Sequence, residues 1–202
     1  MTKTLYLVRH GNTFDKGDEI LRVGGRTDLP LSLSGLDQAD ALADAFKNIP
    51  LKACYSSPLK RTRQTANAIC QGHNIEIQNA EFLREIDYGP DEGQSEKDVI
   101  ARLGEKALQD WEVNTVVPNG WNLDPQYFRT HWVKFIASLE HQTTVVVTSN
   151  GVARFLLDAL NLKVKTRKMK TGGVSKLTEI DGEWSLQFWG LRPPFNSLSE
   201  EG

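Results

Sequence analysis

Arg9-His10-Gly11, Ser56-Ser57-Pro58-Leu59-Lys60-Arg61 and Ser149-Asn150-Gly151 are three places in this chain where an apolar run stops at residues able to do chemistry. Arginine offers a planar fork of donors that matches the oxygens of an anion, and it keeps its charge at neutral pH. An imidazole such as that of His10 can act there as a neutral nucleophile. The start of a helix adds unpaired N–H groups and a partial positive charge. If Arg9, Arg61 and two helix starts share one rim, they form an anion pocket, and phosphate is its natural occupant.

The elements that must position these residues alternate along the chain. KTLYLVR (Lys3 to Arg9) reads as a buried strand, and Ala53 to Ser56 as a second. TTVVVTS (Thr143 to Ser149) is nearly all β-branched and reads as a third. Each runs into a loop or helix. Ser34 is the expected cap of a helix carrying Leu36, Ala39, Ala43 and Phe46, ended by Pro50. Ser57 and Pro58 suit the cap and first position of the next, whose Leu59, Ala66, Ile69 and Cys70 face inward and which Gly72 closes. Val99, Ile100, Leu103, Ala107 and Trp111 predict one amphipathic helix, and Phe128, Trp132, Phe135, Ile136 and Leu139 another that packs on it. Phe155, Leu156 and Leu160 mark a helix after the third strand. GVSKLTEI and WSLQFWG flank Asp181-Gly182, the dipeptide of a tight hairpin. The expected fold is α/β: a mostly parallel central sheet with helices on both faces and a C-terminal β-hairpin. Such sheets bind ligands at the carboxyl ends of their strands.

At 202 residues, one domain over residues 1–192 with a frayed tail from Pro193 is the expected organisation. With 39% apolar residues, 25% charged residues and a net charge of −2, the chain carries no overall basic field for nucleic acid or anionic lipid. No apolar run approaches the roughly 20 residues of a bilayer span, so no membrane role is expected. Cys54 and Cys70 show no Cys-x-x-Cys spacing and no secretory signal precedes them, which predicts buried thiols in a reducing cytoplasm. His73, His131 and His141 fit no metal-ligand spacing, and Trp111, Trp121 and Trp132 suit packing.

LYLVRHG, GRTDLPLSLSGLDQA, YSSPLKRTRQTA, FLREIDYGPDEG and VVVTSNGVARFLL follow one another in this order over nearly the whole chain. In order and spacing they resemble the histidine phosphatase superfamily, which includes the cofactor-dependent phosphoglycerate mutases. The resemblance implies that His10 attacks phosphorus and carries the phosphoryl group, and that Arg9 and Arg61 clamp its equatorial oxygens. It implies that Glu85 protonates the leaving oxygen and then activates water, with a carboxyl pKa raised by burial and opposed by Arg84. Asn150 and Gly151 complete the phosphate site, and Asn12 and Thr13 add contacts from the loop. No cofactor and no metal are implied.

The family places a second histidine where this chain has Asn150, which keeps a donor but cannot be charged, and which also suits a helix cap. Losing a preorganised charged donor costs on the order of 3 kcal/mol of transition-state stabilisation. Asp91 stands where the family often has tryptophan, and PNGWNLDP where it often has a Pro-Gly-Gly-Glu-Ser-like stretch. Rival readings attend the assignments: Arg61 shares a helix with Lys60 and Arg63 and could be a solvated charge, and Glu85 lies in an acidic loop. Two functional classes stay open. One is a phosphomonoester phosphatase acting through phosphohistidine on a small metabolite or a phosphoprotein, with a mutase less favoured. The other is an impaired relative that senses a phosphate ligand.

Overall fold

The computed structural model describes residues 2–140 and 142–194. His141 and, from Phe195 on, the expected tail lie outside the described residues. Its elements run β1 (Lys3–Arg9), α1 (Leu33–Phe46), β2 (Ala53–Ser56), α2 (Lys60–Cys70), β3 (Ile77–Asn79), α3 (Glu96–Leu103), α4 (Glu105–Asn114), α5 (Pro125–Ala137), β4 (Thr143–Thr148), α6 (Asn150–Ala159), β5 (Val174–Ile180) and β6 (Glu183–Leu191). Single 3-10 turns occupy Glu81–Leu83 and Gly89–Asp91.

The six strands form one sheet in the order β3-β2-β4-β1-β5-β6. The pairs β1–β4, β2–β4 and β2–β3 are parallel, while β5 runs antiparallel to β1 and β6 antiparallel to β5. Alternation along β1 divides the core between the two faces. Leu5 and Leu7 join Val146, Trp132, Phe155 and Leu156 on the side of α5 and α6. Tyr6 and Val8 join Val145, Val147, Leu42, Phe46 and Ile69 on the side of α1 and α2. Apolar on both faces, the central strands had to be covered twice, which explains their unbroken hydrophobic runs. The expected fold class is therefore the one observed.

Register brings the chemical segments together. Arg9 is level with Thr148, and Ser56 with Val147, so the chain leaves β1, β2 and β4 at one edge of the sheet. His10, Ser57 and Ser149 all start there.

Local details differ from the sequence reading. The first helix is capped by Ser32, whose hydroxyl accepts from the Gly35 N–H at 3.2 Å, and Ser34 lies inside the first turn. Helix α2 starts at Lys60, after Leu59 rather than at Pro58, because the Ser57 hydroxyl holds the Leu59 N–H in a local turn at 3.3 Å. The single helix expected through Val99 and Trp111 is broken at Gly104, where φ is +79°, a conformation that stops helical continuation. Helix α5 packs against α6, and Trp111 and Phe128 each meet the ring of Phe155 instead of forming a separate pair of helices. Strand β3, too short and too polar to show periodicity, was not anticipated. The hairpin turn is as expected, with Asp181 at φ +53° and Gly182 at φ +89°.

Candidate active site

His10 is 6% exposed and follows β1 directly. Its Nδ1 lies 2.7 Å from the carbonyl of Gly11, so that nitrogen carries the proton and donates it, leaving Nε2 as the ring's free lone pair. Burial first, then the charges of Arg61 and Arg9, hold its pKa well below the ordinary value. The ring is therefore neutral at physiological pH. Its backbone is pinned as well: the His10 N–H donates to Thr148 O at 3.1 Å, and the Gly11 N–H to Thr65 Oγ1 at 3.2 Å. That buried hydroxyl donates in turn to Arg61 O at 2.8 Å, which couples the loop after His10 to α2.

Arg61 is fully buried in the first turn of α2. Its Nη1 donates to Thr27 O at 2.8 Å and its Nη2 to Gly24 O at 3.1 Å, and its Nε has no hydrogen-bond partner among the described residues. Arg9 is aimed by a 2.6 Å bond from Nη1 to Met169 O, and its buried Nε is also without a partner. Burial lowers both guanidinium pKa values, with Glu85 the first group to oppose it in each case. An arginine nevertheless stays protonated in proteins. Two cations, Arg61 buried and Arg9 half-buried, each with a buried Nε donor unused beside a neutral imidazole, are costly unless an anion completes them. Arg63, by contrast, turns toward β3 and bonds Ile77 O and Asn79 Oδ1.

Glu85 is 7% exposed and its pKa is raised, with burial outweighing the hydrogen bonds and cations that favour the charged form. Its Oε1 accepts from the Ile86 N–H at 2.9 Å and its Oε2 from the Gly151 N–H at 3.3 Å. A Cβ at position 151 would stand 2.3 Å from Glu85 Oε1, so only glycine lets the carboxyl sit against the start of α6. The opposition expected from Arg84 is absent: that side chain pairs with Glu81 and reaches Gly25 O, while Arg61 and Arg9 are the cations acting on Glu85. Tyr88, which the sequence reading did not single out, interacts electrostatically with Arg9, Arg61 and Glu85. An aromatic three residues after Glu85 gave no signal that separated it from core packing.

Asn150 is not a cap. Ser149 occupies the cap position, and the Asn150 Oδ1 accepts from the Met169 N–H at 2.8 Å. The Met169 peptide thus bonds Asn150 through its N–H and Arg9 through its carbonyl. Asn12 holds the loop together: its Nδ2 donates to Ser34 Oγ at 3.0 Å and its Oδ1 accepts from Thr171 Oγ1. Thr13 is half-buried in the same loop, and its side chain makes no hydrogen bond among the described residues.

Asp91 and the PNGWNLDP segment, singled out in the sequence, meet in space. Asp91 is buried, paired with Arg102 and bonded to Trp121 Nε1 at 2.7 Å, and burial of its carboxyl is outweighed by those donors, so its pKa falls. Arg22 lies 5.2 Å from the ring centres of both Tyr88 and Trp121. Among the described residues no group of three or more His, Cys, Asp or Glu is placed to hold a metal, and no helix is long and apolar enough to cross a membrane.

The sequence matches the family model described as "Histidine phosphatase superfamily (branch 1)" over residues 5–192. A Salmonella choleraesuis protein named "Probable phosphoglycerate mutase GpmB" is 25% identical over 198 residues, covering 92% of this chain and 89% of that one. A Schizosaccharomyces pombe protein named "Probable phosphatase C1620.13" is 37% identical over 92 residues, which is 46% of this chain, and the chain spans only 32% of that protein's length. Among solved structures, a mycobacterial glucosyl-3-phosphoglycerate phosphatase superposes with a TM-score of 0.79 at 21% identity, covering 95% of this chain and 100% of that one. At that identity the likeness speaks for the fold.

Proposed function

The chain belongs to the histidine phosphatase superfamily (branch 1), and from that premise we propose that it is a phosphomonoester phosphatase working through a phosphohistidine on His10. The observation that carries this reading is the pair of arginines, Arg61 buried and Arg9 half-buried, whose buried Nε donors are unused beside a neutral imidazole. His10 Nε2 attacks phosphorus in line, forming the N–P bond as the ester P–O bond breaks. Arg9 and Arg61 neutralise charge on the equatorial oxygens, where transition-state stabilisation is largest. Glu85, whose pKa burial raises, is the group that gives a proton to the leaving oxygen. As a carboxylate it then takes a proton from water, whose oxygen attacks the phosphohistidine and frees inorganic phosphate and neutral His10. The chemistry calls on arginines for charge, so chelators are expected to leave the rate unchanged.

A small phosphorylated metabolite is the proposed substrate, in keeping with the mycobacterial phosphatase of the same fold. Asn150 does not weaken the reading, since it is bonded into the loop that aims Arg9. The test is hydrolysis of phenyl phosphate and of a panel of phosphorylated metabolites, with trapping of an acid-labile phosphoryl group. His10→Ala is expected to lose both the label and at least about a thousandfold of the rate, as for other lost nucleophiles. A label or turnover that persists in His10→Ala overturns the mechanism, and transfer without phosphate release would make the chain a mutase.

A further inference from the structure

Cys54 of β2 and Cys70, the last residue of α2, are separated by 15 residues, and the strand–loop–helix geometry returns the second to the first. After Ser56 the chain turns back. The 11 residues of α2, at a rise of 1.5 Å each, then run roughly 16 Å over a strand of four residues that is about 13 Å long. The start of α2 lies at the carboxyl edge of the sheet with Arg61, and its end lies over the start of β2. Alternation along β2 selects the face: Tyr55 packs on the side of α5 and α6, while Cys54 joins Ala66, Ile69 and Cys70 in the cluster under α1 and α2. Both cysteines are free, Cys54 fully buried and Cys70 8% exposed, beside the exposed Gln71 and Gly72.

The two sulfurs share a proton. The Cys54 thiol donates to the Cys70 sulfur, and that bond holds the Cys70 pKa below the ordinary thiol value against burial, with the charge of Arg63 assisting. The same bond, together with burial, raises the Cys54 pKa, so Cys70 is the sulfur that becomes a thiolate. Arg63 is fixed beside them by its bonds to Ile77 O at 3.3 Å and Asn79 Oδ1 at 3.0 Å. A thiol of lowered pKa at the edge of the core, with a second thiol against it, is the arrangement of a nucleophilic cysteine and its resolving partner. A cysteine that serves only as a small buried hydrophobe calls for neither the second sulfur nor the cation.

We propose that Cys54 and Cys70 are a redox modification site, which closes to an intramolecular disulfide when the folded protein meets a peroxide and reopens in excess thiol. The Cys70 thiolate attacks one oxygen of hydrogen peroxide, the O–O bond breaks, and the departing hydroxide takes up the proton that Cys70 gave up, leaving a sulfenic acid and one water. The Cys54 sulfur then attacks the Cys70 sulfur as the S–O bond breaks, and the departing hydroxide takes the Cys54 proton to form a second water. Two thiols are oxidised and one peroxide is reduced. The bond ties the end of α2 to β2, and α2 is the element that carries Arg61 and the Thr65 hydroxyl on which the Gly11 N–H is held. The tie does not depend on the phosphatase reading, since no group of the proposed chemistry takes part in it.

The test exposes the native full chain to hydrogen peroxide, removes the peroxide with catalase, unfolds the protein in N-ethylmaleimide and measures its mass. Neither cysteine is expected to be labelled, the mass is expected to fall by two hydrogens relative to the reduced chain, and a peptide map is expected to join the segments carrying Cys54 and Cys70. Dithiothreitol before alkylation is expected to restore both labels. Closing a loop of this size is expected to raise the Tm of the oxidised protein by roughly 6–12 °C. In Cys54→Ser the reaction is expected to stop at a sulfenic acid on Cys70, trapped by dimedone, and in Cys70→Ser to leave Cys54 a thiol. Two labelled cysteines after peroxide, a disulfide between chains, sulfinic or sulfonic acid in place of the tie, or an oxidised Tm no higher than the reduced one overturns the proposal. Should either variant fail to fold, the mass, the map and the Tm of the wild type decide.

Discussion

At the scale of single residues, Asn150 is fitted to its place by a bond that a charged imidazole could not make. Its Oδ1 accepts the Met169 N–H, and a protonated imidazole has no acceptor to offer in its place. A histidine there would keep that bond only while neutral, and so without the charge that makes the family's second histidine useful. Asn150→His is therefore expected to leave kcat within about threefold of wild type or below it; a rise of tenfold or more, the scale of one recovered charged donor, would refute this account. Glu85 gives a prediction in two directions. Glu85→Gln cannot donate a proton, so kcat on alkyl phosphates is expected to fall by roughly 10²–10⁴, and less on aryl phosphates with good leaving groups. Because its folded pKa lies above the unfolded value, the folded state binds the proton more tightly, and stability falls as pH rises through that interval. Glu85→Gln should remove this loss, so chemical denaturation at neutral pH is expected to show a more stable, less active protein.

At the scale of elements, the segment from Glu85 to Trp121 is organised around one buried carboxylate. Asp91 closes the turn Gly89–Asp91, pairs with Arg102 of α3 and accepts from Trp121 in the loop before α5. These positions are far apart in sequence, and their side chains answer one another. Asp91→Ala leaves the Trp121 N–H without its acceptor and Arg102 without its partner, at a cost of about 1–3 kcal/mol. In a chain of this length that corresponds to a fall in Tm of roughly 2–12 °C, read by thermal unfolding. Arg22 packs on Trp121 and Tyr88, so the same variant is expected to raise KM more than it lowers kcat. An unchanged Tm and KM would show that the cluster supports neither the segment nor the site.

At the scale of the whole molecule, the sheet concentrates buried ionisable groups at one edge, and stability should register it. His10 is neutral in the fold because its pKa lies well below 6.5, whereas in the unfolded chain it takes up a proton near that value. Between those two values the unfolded state binds more protons, so stability is lost as pH falls below about 6.5. His10→Ala is expected to flatten that part of the stability–pH curve, measured by urea unfolding between pH 7 and pH 5. A curve parallel to wild type would mean that the imidazole titrates alike in both states.

The order of apolar runs, the turn dipeptide Asp181-Gly182 and the polar endings of the strands were enough to determine the α/β class, the double-sided sheet and the places where Arg9, His10, Arg61 and Asn150 fall. Those features are local: burial on both faces writes a continuous hydrophobic run, and a functional strand end interrupts it. Helix starts were misplaced by two residues or so, because Ser32 and Ser34, or Ser57 and Pro58, are alike in composition and only backbone geometry selects the cap. Which cation restrains Glu85, what Asn150 binds, and that Asp91 meets Trp121 were settled by contacts between segments tens of residues apart. Parallel pairing of β1 with β4 and β2 brings those segments to one edge, and no periodicity within any of them encodes the partner it finds there.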